Sequence, residues 1–573
     1  MSEQESSQEG DLGQALVPLL SQLYRDDQAR MLVDRLAAIA RTERTAAASA
    51  RPVPEDGRLL LITYGDSIRN EHDVPLKVLH QFLTRYLGAD LGVVHLLPFY
   101  PSSSDDGFAV IDYRMVDHHL GGWEDIEQLA GDFELMFDLV INHCSRESLW
   151  FADFISGRDP GRHYFITLTE ESDTSAVVRP RSTPLISAVH TYAGIRHVWN
   201  TFSDDQIDLD FSNPDVLEAF VDILFFYIRQ GAGIIRLDAI AFLWKRLGTS
   251  CMSLPETHIV VQVLRALTDH AAPHVKLITE TNVPHEENVS YFGDGDEAHM
   301  VYQFSLAPLL LYSYIFGDAS YLTTWAARLS APPAGTTYLN FIASHDGIGL
   351  RPLEGLIPEE NVNRLVERMH DRGGFVTMRD AGDRQRPYEI NVALFSAFDE
   401  SLPAYLAAHT LLLSFQGMPA LYIHSLLATT NDLDLVEQTG RTRSINRGHW
   451  QMDALEAHLA DPASPQAQML AHCRRVMACR QAQPALNPES EQAVSPGPPG
   501  VFLLRRNCPT QSLVIAASVV DTPQEVPLHG TGLPTGSFED RLTGNEVALA
   551  ETLALAPYEV LWLDVTVASS GGD

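Results

Sequence analysis

Four short apolar runs in this chain each end on polar residues, and that pattern narrows its possible folds more than any other feature. They are Asp138-Leu139-Val140-Ile141-Asn142-His143, Gly233-Ile234-Ile235-Arg236-Leu237-Asp238, Leu277-Ile278-Thr279-Glu280 and Phe341-Ile342-Ala343-Ser344-His345-Asp346. A run that is apolar at successive positions reads as a strand buried on both faces. Each one stops at a carboxylate, His, Arg or Asn. A single strand end of this kind would say little. Four in order between residues 138 and 346 predict parallel strands that deliver their C-terminal ends to one site, as a (β/α)8 TIM barrel does.

The flanking sequence keeps the same rhythm. Leu59–Thr63, Val93–Leu97 and Leu135–Ile141 read as strands, and Val74–Tyr86 and Trp123–Ala130 as helices between them. Alternation of this kind implies an α/β fold with a parallel sheet. It breaks from Ser145 to about Asp210, resumes with a helix Asp215–Arg229, and breaks again after Asp346. The second break holds a helical piece, Glu359–Arg372, and a Gly/Arg-rich loop, Asp371–Pro387, long enough to expect a function of its own. Barrel helices return at Pro403–Phe415 and Pro465–Ala482, and the runs Val501–Leu504, Leu513–Ala517 and Val560–Leu563 predict a terminal all-β domain. Leu12, Leu16, Leu19, Leu20, Leu23, Met31, Leu32, Leu36 and Ile39 form a helical pattern at the start. The expected division is a helical extension (1–57), a barrel in three parts (58–144, 211–346, 401–486), an inserted domain (145–210), an inserted loop domain (347–400) and a C-terminal β domain (487–573).

Composition limits the partners. With 40 Lys+Arg against 75 Asp+Glu, the formal charge of −35 argues against nucleic acid or an anionic membrane surface. The cations are almost all arginine, with lysine only at 77, 245 and 276; a GC-rich genome or a salt-tolerant host would each produce this. Cys144, Cys251, Cys473, Cys479 and Cys508 are scattered, odd in number and without metal-type spacing, so a reducing, cytoplasmic compartment is expected. No signal-peptide core and no run long enough to span a membrane is evident.

The residues at the strand ends suit glycosyl transfer. Cleavage with retention needs two carboxyl groups about 5–5.5 Å apart, one attacking the anomeric carbon and the other protonating the leaving oxygen. Asp238 and Glu280 are the natural pair, each ending its own strand. Arg236 lies two residues before Asp238, so both side chains share a strand face and the guanidinium can hold the carboxylate ionised. Glu280 follows an apolar strand, where partial burial would raise its pKa toward that of an acid catalyst. Asp346 adds a carboxylate able to grip sugar hydroxyls, and His143 and His345 add hydrogen-bonding groups. Metal binding is an alternative use of these residues, but their spacing matches no closed transition-metal site, and no metal is expected.

Together the four segments resemble the signature regions of the α-amylase family (glycoside hydrolase family 13), over most of residues 58–480. The resemblance implies that Asp238 is the nucleophile, Glu280 the general acid/base and Asp346 the transition-state stabiliser, with Arg236, His143 and His345 as partners. Finer motifs resemble the sucrose phosphorylase subfamily: Leu61-Ile62-Thr63-Tyr64-Gly65-Asp66, His95-Leu96-Leu97-Pro98-Phe99-Tyr100-Pro101, Asp105-Asp106-Gly107-Phe108, Gly248-Thr249-Ser250-Cys251, His345-Asp346-Gly347-Ile348-Gly349 and Arg443-Ser444-Ile445-Asn446-Arg447. By that resemblance Asp105 pairs with Arg443 to close a one-glucose pocket, which Phe108 lines, and Phe202 and Gln206 complete the substrate-binding set. Arg181, in Arg179-Pro180-Arg181, is implied to bind phosphate, and a mobile loop carrying Tyr388 to alternate between acceptor and phosphate.

On the acceptor side the chain departs from sucrose phosphorylases, reading Arg386-Pro387-Tyr388-Glu389 where those tend to have Asp-Leu-Tyr-Gln. This segment, the stretch after Glu280 and the N-terminal extension are similar to the glucosylglycerate phosphorylase branch. Arg386, Tyr388 and Glu389 are therefore expected to handle phosphate and acceptor, and an arginine in place of a carboxylate suits an anionic acceptor such as glycerate. The expected activity is that of a hexosyl-transferring phosphorylase acting on a small α-glucoside, phosphate and a glycerate-like acceptor. Inorganic phosphate is then a co-substrate, no cofactor is needed, and a homodimer is the assembly to test. Sucrose, sucrose 6′-phosphate or glucosylglycerol phosphorylase keeps the mechanism and changes the acceptor. A plain α-glucosidase would not need the phosphate-type loop. A non-catalytic sugar-binding protein on the same barrel should have lost Asp238, Glu280 or Asp346, and all three are present.

Overall fold

The computed structural model describes residues 3–46, 58–169, 171–180, 183–380 and 385–566. Eight parallel strands close a barrel in sequential order: β1 (Leu59–Thr63), β2 (Leu91–Leu96), β3 (Glu134–Val140), β4 (Ala232–Asp238), β5 (Lys276–Thr279), β6 (Met300–Tyr302), β7 (Thr337–Asn340) and β8 (Met418–Tyr422), which returns to β1. Every residue of β1 to β4 is buried. One face of each strand fills the barrel and the other meets the outer helices, hence the continuous apolar runs. Several of those helices begin with proline at the first turn, as at Pro75, Pro214, Pro255 and Pro465, where the missing N–H costs nothing.

Register sets the active end. Arg236 pairs with Asp138 across β4 and β3, and Leu237 pairs with Thr279 across β4 and β5, so Asp238 and Glu280 emerge side by side. The fourth apolar segment behaves differently from expectation. The strand is Thr337–Asn340, and Phe341–Asp346 is irregular chain that follows it. Phe341, Ile342 and Ala343 are apolar because they are buried over the barrel mouth, where they line a cavity rather than form the strand.

The N-terminal pattern is two helices, α1 (Glu3–Leu23) and α2 (Asp26–Ala46), packed on each other and on the barrel helices Pro214–Arg229 and Pro255–Ala271. Leu12, Leu16 and Leu20 on α1 and Leu32, Leu36 and Ala40 on α2 form the buried stripe, whereas Met31 is exposed. Tyr24 Oη donates to the Phe211 carbonyl at 2.9 Å, and Arg35 bridges Asp215 and Glu218 at 2.9 and 2.6 Å, fastening the pair to the barrel.

The segment after β3 carries a helix, Leu149–Ser156, and an antiparallel pair, Ile186–Thr191 with Gly194–Trp199. The stretch expected as a loop around Asp371–Pro387 is instead an antiparallel hairpin, Phe375–Asp380 with Gln385–Asn391, to which Ile348–Gly349 adds a third strand. Its polar composition hid it: Glu389, Ile390 and Asn391 are buried, and two of the three are polar. The C-terminal sheet of Glu491–Ser495, Val501–Cys508, Gln511–Ser518 and Val560–Asp564 docks on the barrel through buried polar contacts. Trp562 Nε1 donates to Ser414 Oγ at 2.8 Å and Arg506 Nη1 to the Ser414 carbonyl at 2.9 Å. Among the described residues no helix is long and apolar enough to cross a membrane.

Candidate active site

The strand ends and the loops after them enclose a cavity of about 100 Å³. Of the residues chosen from sequence, Asp105, Phe108, His143, Phe202, Gln206, Asp238, Glu280, His345, Asp346, Tyr388, Glu389 and Arg443 line it. Arg236 lies one pleat deeper on β4. Arg386 is partly buried on the hairpin and does not line the cavity, and Arg181 falls outside the described residues.

Asp238 accepts from Arg236 Nη1 at 2.7 Å. The same nitrogen also holds Asp138, whose other oxygen takes His95 Nε2 at 2.7 Å, and all four groups are buried. Burial alone would push the Asp138 carboxyl up, but Arg236 and His95 reverse this and hold it below the usual carboxylate range. Ala239, next in the chain, sits in the left-handed region at φ 54°, rare for a residue with a Cβ. That turn aims its amide at Glu280 Oε2, 3.1 Å away. Burial pushes Glu280 up against the pull of Arg236, with Asp346 adding to the rise. Burial also pushes Asp238 up, helped by Glu280 and opposed by Arg236. The two carboxyls share one low-dielectric site, so one proton between them is the favoured state. The direct guanidinium bond to Asp238 favours its anion, which leaves that proton on Glu280.

Asp346 is the opposite case. Its burial is outweighed by Arg443 at 2.5 Å, His345 at 3.4 Å and Arg447 at 3.6 Å, which hold it well below the usual range. His345 stacks on Phe108 with ring centres 5.0 Å apart, and burial lowers its pKa to about 3, so it is neutral at ordinary pH. His143 Nδ1 takes an N–H from Asn142 at 3.2 Å, which puts the ring proton on Nε2 for donation to the Phe108 carbonyl at 2.9 Å. Asn142 is itself fixed by Lys245 and Asp208, a buried pair 2.6 Å apart. Asp105 accepts from Gln206 Nε2 at 3.2 Å and helps keep Arg443 charged. Asp105 and Asp106 both have positive φ, 54° and 49°, and Gly107 passes so near Pro98 that a Cβ there would lie 2.5 Å from its carbonyl oxygen. Arg447 and Arg441 hold this tight loop by gripping Asp106.

On the far side of the cavity, Tyr388 and Glu389 enter from the hairpin. Glu389 takes both arms of Arg443, Nε to Oε1 at 2.9 Å and Nη2 to Oε2 at 2.6 Å. Arg379 and Arg386 are cross-strand neighbours; Arg379 is matched by Glu354 at 2.6 Å. Arg351, two residues past the cavity-lining Gly349, rests on Met252 Sδ at 3.7 Å and meets no carboxylate among the described residues. Asp138, His95, Arg447 and Arg351 were not singled out from sequence. Arg447 had a signal, closing the Arg443-Ser444-Ile445-Asn446-Arg447 motif one residue past the short helix Thr442–Asn446. Among the described residues the one cluster of metal-type donors, Asp117, His118 and His119, lies outside the cavity.

Chemically, the site offers a guanidinium-held carboxylate beside a second buried carboxyl, with a third carboxylate paired to arginine across the cavity. The α-amylase catalytic-domain model matches residues 84–328. Glucosylglycerate phosphorylase of Spirochaeta thermophila is 41% identical, covering 88% of this chain and 89% of its own. Glucosylglycerate phosphorylase of Escherichia coli is 40% identical, covering 89% and 92%. Among solved structures, sucrose 6F-phosphate phosphorylase from Thermoanaerobacter thermosaccharolyticum aligns with a TM-score of 0.72 at 26% identity, covering 81% of this chain and 94% of that one.

Proposed function

The chain belongs to the α-amylase family, within its glucosylglycerate phosphorylase branch, and on that premise we propose that it catalyses reversible phosphorolysis of 2-O-α-D-glucosylglycerate. The observation that carries this reading is the 40–43% identity to three glucosylglycerate phosphorylases over most of the chain, against 29% to a sucrose phosphorylase. Asp238 attacks the anomeric carbon and the bond from that carbon to the glycerate oxygen breaks, Glu280 giving its proton to the departing oxygen. The glucosyl unit is then held as a β-ester on Asp238. A phosphate oxygen attacks the same carbon, Glu280 takes back the proton, and the Asp238 carboxylate is released with α-glucose 1-phosphate. Two inversions give net retention. Asp346 and Arg443 hold the sugar hydroxyls as charge develops on the ring.

The acceptor side is read as follows. Arg351 acts on Tyr388, Arg386 lies two residues before it and is cross-strand from Arg379, and Glu354 matches the Arg379 charge. The excess suits phosphate and the glycerate carboxylate in turn. Arg181 is assigned to phosphate on motif resemblance. Both steps use carboxyl groups alone, so neither an organic cofactor nor a metal is called for. The five cysteines form no disulfide, which fits a reducing, cytoplasmic setting.

The test is an acceptor screen with α-glucose 1-phosphate, following phosphate release with D-glycerate, L-glycerate, glycerol, fructose and fructose 6-phosphate. Preference for a glycerate is expected. Preference for fructose, its phosphate or glycerol would overturn the acceptor, and release no faster than with water alone would overturn the phosphorylase reading.

A further inference from the structure

Glu389 places a carboxylate on the side of the cavity assigned above to two anions, phosphate and glycerate. A free carboxylate there would repel both. Its oxygens are not free: the residue is 2% exposed and both oxygens are taken by the Arg443 fork. Arg443 in turn reaches Asp346 through Nη1 at 2.5 Å. Three segments far apart in the chain thus form one line, from the hairpin through the arginine to the floor of the sugar pocket.

We infer that Glu389 is a positioning residue for Arg443 on the glucosyl side, and not a ligand of acceptor or phosphate. A guanidinium has five N–H donors. Glu389 takes two and Asp346 one, which orients the plane and leaves the others for sugar hydroxyls. Without Glu389, the Nε and Nη2 arms of Arg443 lose their fixed partner, and the guanidinium can turn about its Asp346 contact and away from the sugar. The backbone is built around this arrangement. Glu389 is in register with Gly349 and Thr377 on its two flanking strands. A Cβ on Gly347 would lie 2.5 Å from Glu389 Cγ, so a glycine right after Asp346 clears the path of the Glu389 stem. The Glu389 charge is spent on Arg443, which leaves Arg386 and Arg351 to set the sign of the acceptor side.

This inference rests on the proposed glucosyl transfer, and its test separates the glucosyl step from the acceptor. Glu389→Gln and Glu389→Ala, in the full chain, are assayed for hydrolysis of α-D-glucosyl fluoride, where water is the acceptor, and for transfer from α-glucose 1-phosphate to D-glycerate. Both variants are expected to lose at least about tenfold in kcat/KM for the fluoride, comparable to the coupling of a buried charged pair, while the KM for glycerate moves less than about threefold. Retention of fluoride hydrolysis within about twofold together with a tenfold rise in glycerate KM would make Glu389 an acceptor ligand and overturn the inference. The isosteric Gln variant decides the matter if the Ala variant does not fold. Failure of the wild-type chain to use α-glucose 1-phosphate, with fluoride hydrolysis intact, would instead sink the phosphorylase reading and leave the fluoride comparison standing.

Discussion

Asp138 and Glu280 show how single residues divide the work of the site. Asp138 touches no cavity, yet it carries Arg236 and His95 at the barrel core. Asp138→Asn should lower stability by about 3 kcal/mol, because the remaining buried cation is left partly unpaired. Arg114→Ala, which breaks an exposed pair with Asp222, should cost under about 1 kcal/mol; urea midpoints compare the two. In the proposed mechanism Glu280 acts through its proton. Glu280→Gln should cut glucosylglycerate phosphorolysis by about a hundredfold or more and spare the first step with α-glucosyl fluoride, whose leaving group needs no acid. Since the raised pKa of Glu280 sets when that proton is lost, wild-type phosphorolysis should decline on the alkaline side and fluoride turnover should not. His345 stays neutral and contributes no limb to either profile. The places of Asp238, Glu280 and Arg236 at or beside the strand ends were legible in the sequence. Asp138 was not, because a carboxylate opening a strand-end motif looks the same whether it faces substrate or supports an arginine.

At the level of elements, α1 and α2 are bound to the barrel by apolar packing and by polar anchors at Tyr24, Arg35 and Glu43, the last paired with Arg229, away from the cavity. Leu16→Ala should therefore destabilise by about 2–5 kcal/mol and leave kcat unchanged below the melting transition, as thermal unfolding and activity at 25 °C together would show. An effect on glycerate KM would mean that the helical pair reaches the site. Strands and helices with long apolar runs were readable almost to the residue, β1 among them, because their pattern is local. The hairpin Phe375–Asp380 with Gln385–Asn391 was not. It is a strand pair through its pairing with Ile348–Gly349 and its Glu389 contact, and its composition alone looks like a loop. For the same reason Phe341–Ala343 reads as a strand in sequence and is a cavity wall in space.

For the whole molecule, the buried imidazoles predict a response to acid. Burial holds His345 at about 3, His409 at about 4 and His424 at about 3, whereas in the unfolded chain each titrates near about 6.5. The unfolded state therefore binds more protons below that value, so stability is lost as pH falls from about 6.5 toward the folded pKa values. Each such group contributes a slope of about 1.4 kcal/mol per pH unit once below its unfolded pKa; the lowered His95, His143, His299 and His472 act in the same sense, and the raised Asp238, Glu280, Glu297, Glu43 and Glu218 carboxyls act in the opposite one. The melting temperature should drop steeply between pH 6.5 and 4.5, and His409→Gln should flatten that drop, since His409 lies outside the site. A flat profile would show that these imidazoles are hydrated in solution. By itself the sequence determined the barrel and the carboxylates Asp238 and Glu280 that close two of its strands, because apolar runs and the residues closing them are features of neighbouring positions. Only the tertiary structure decided that Glu389 belongs to Arg443, that Asp138 serves Arg236, and that a polar stretch is a hairpin. Those are pairings between residues up to about a hundred positions apart, and a linear pattern does not specify which distant charge a buried guanidinium will meet until packing has removed the water that would otherwise solvate it.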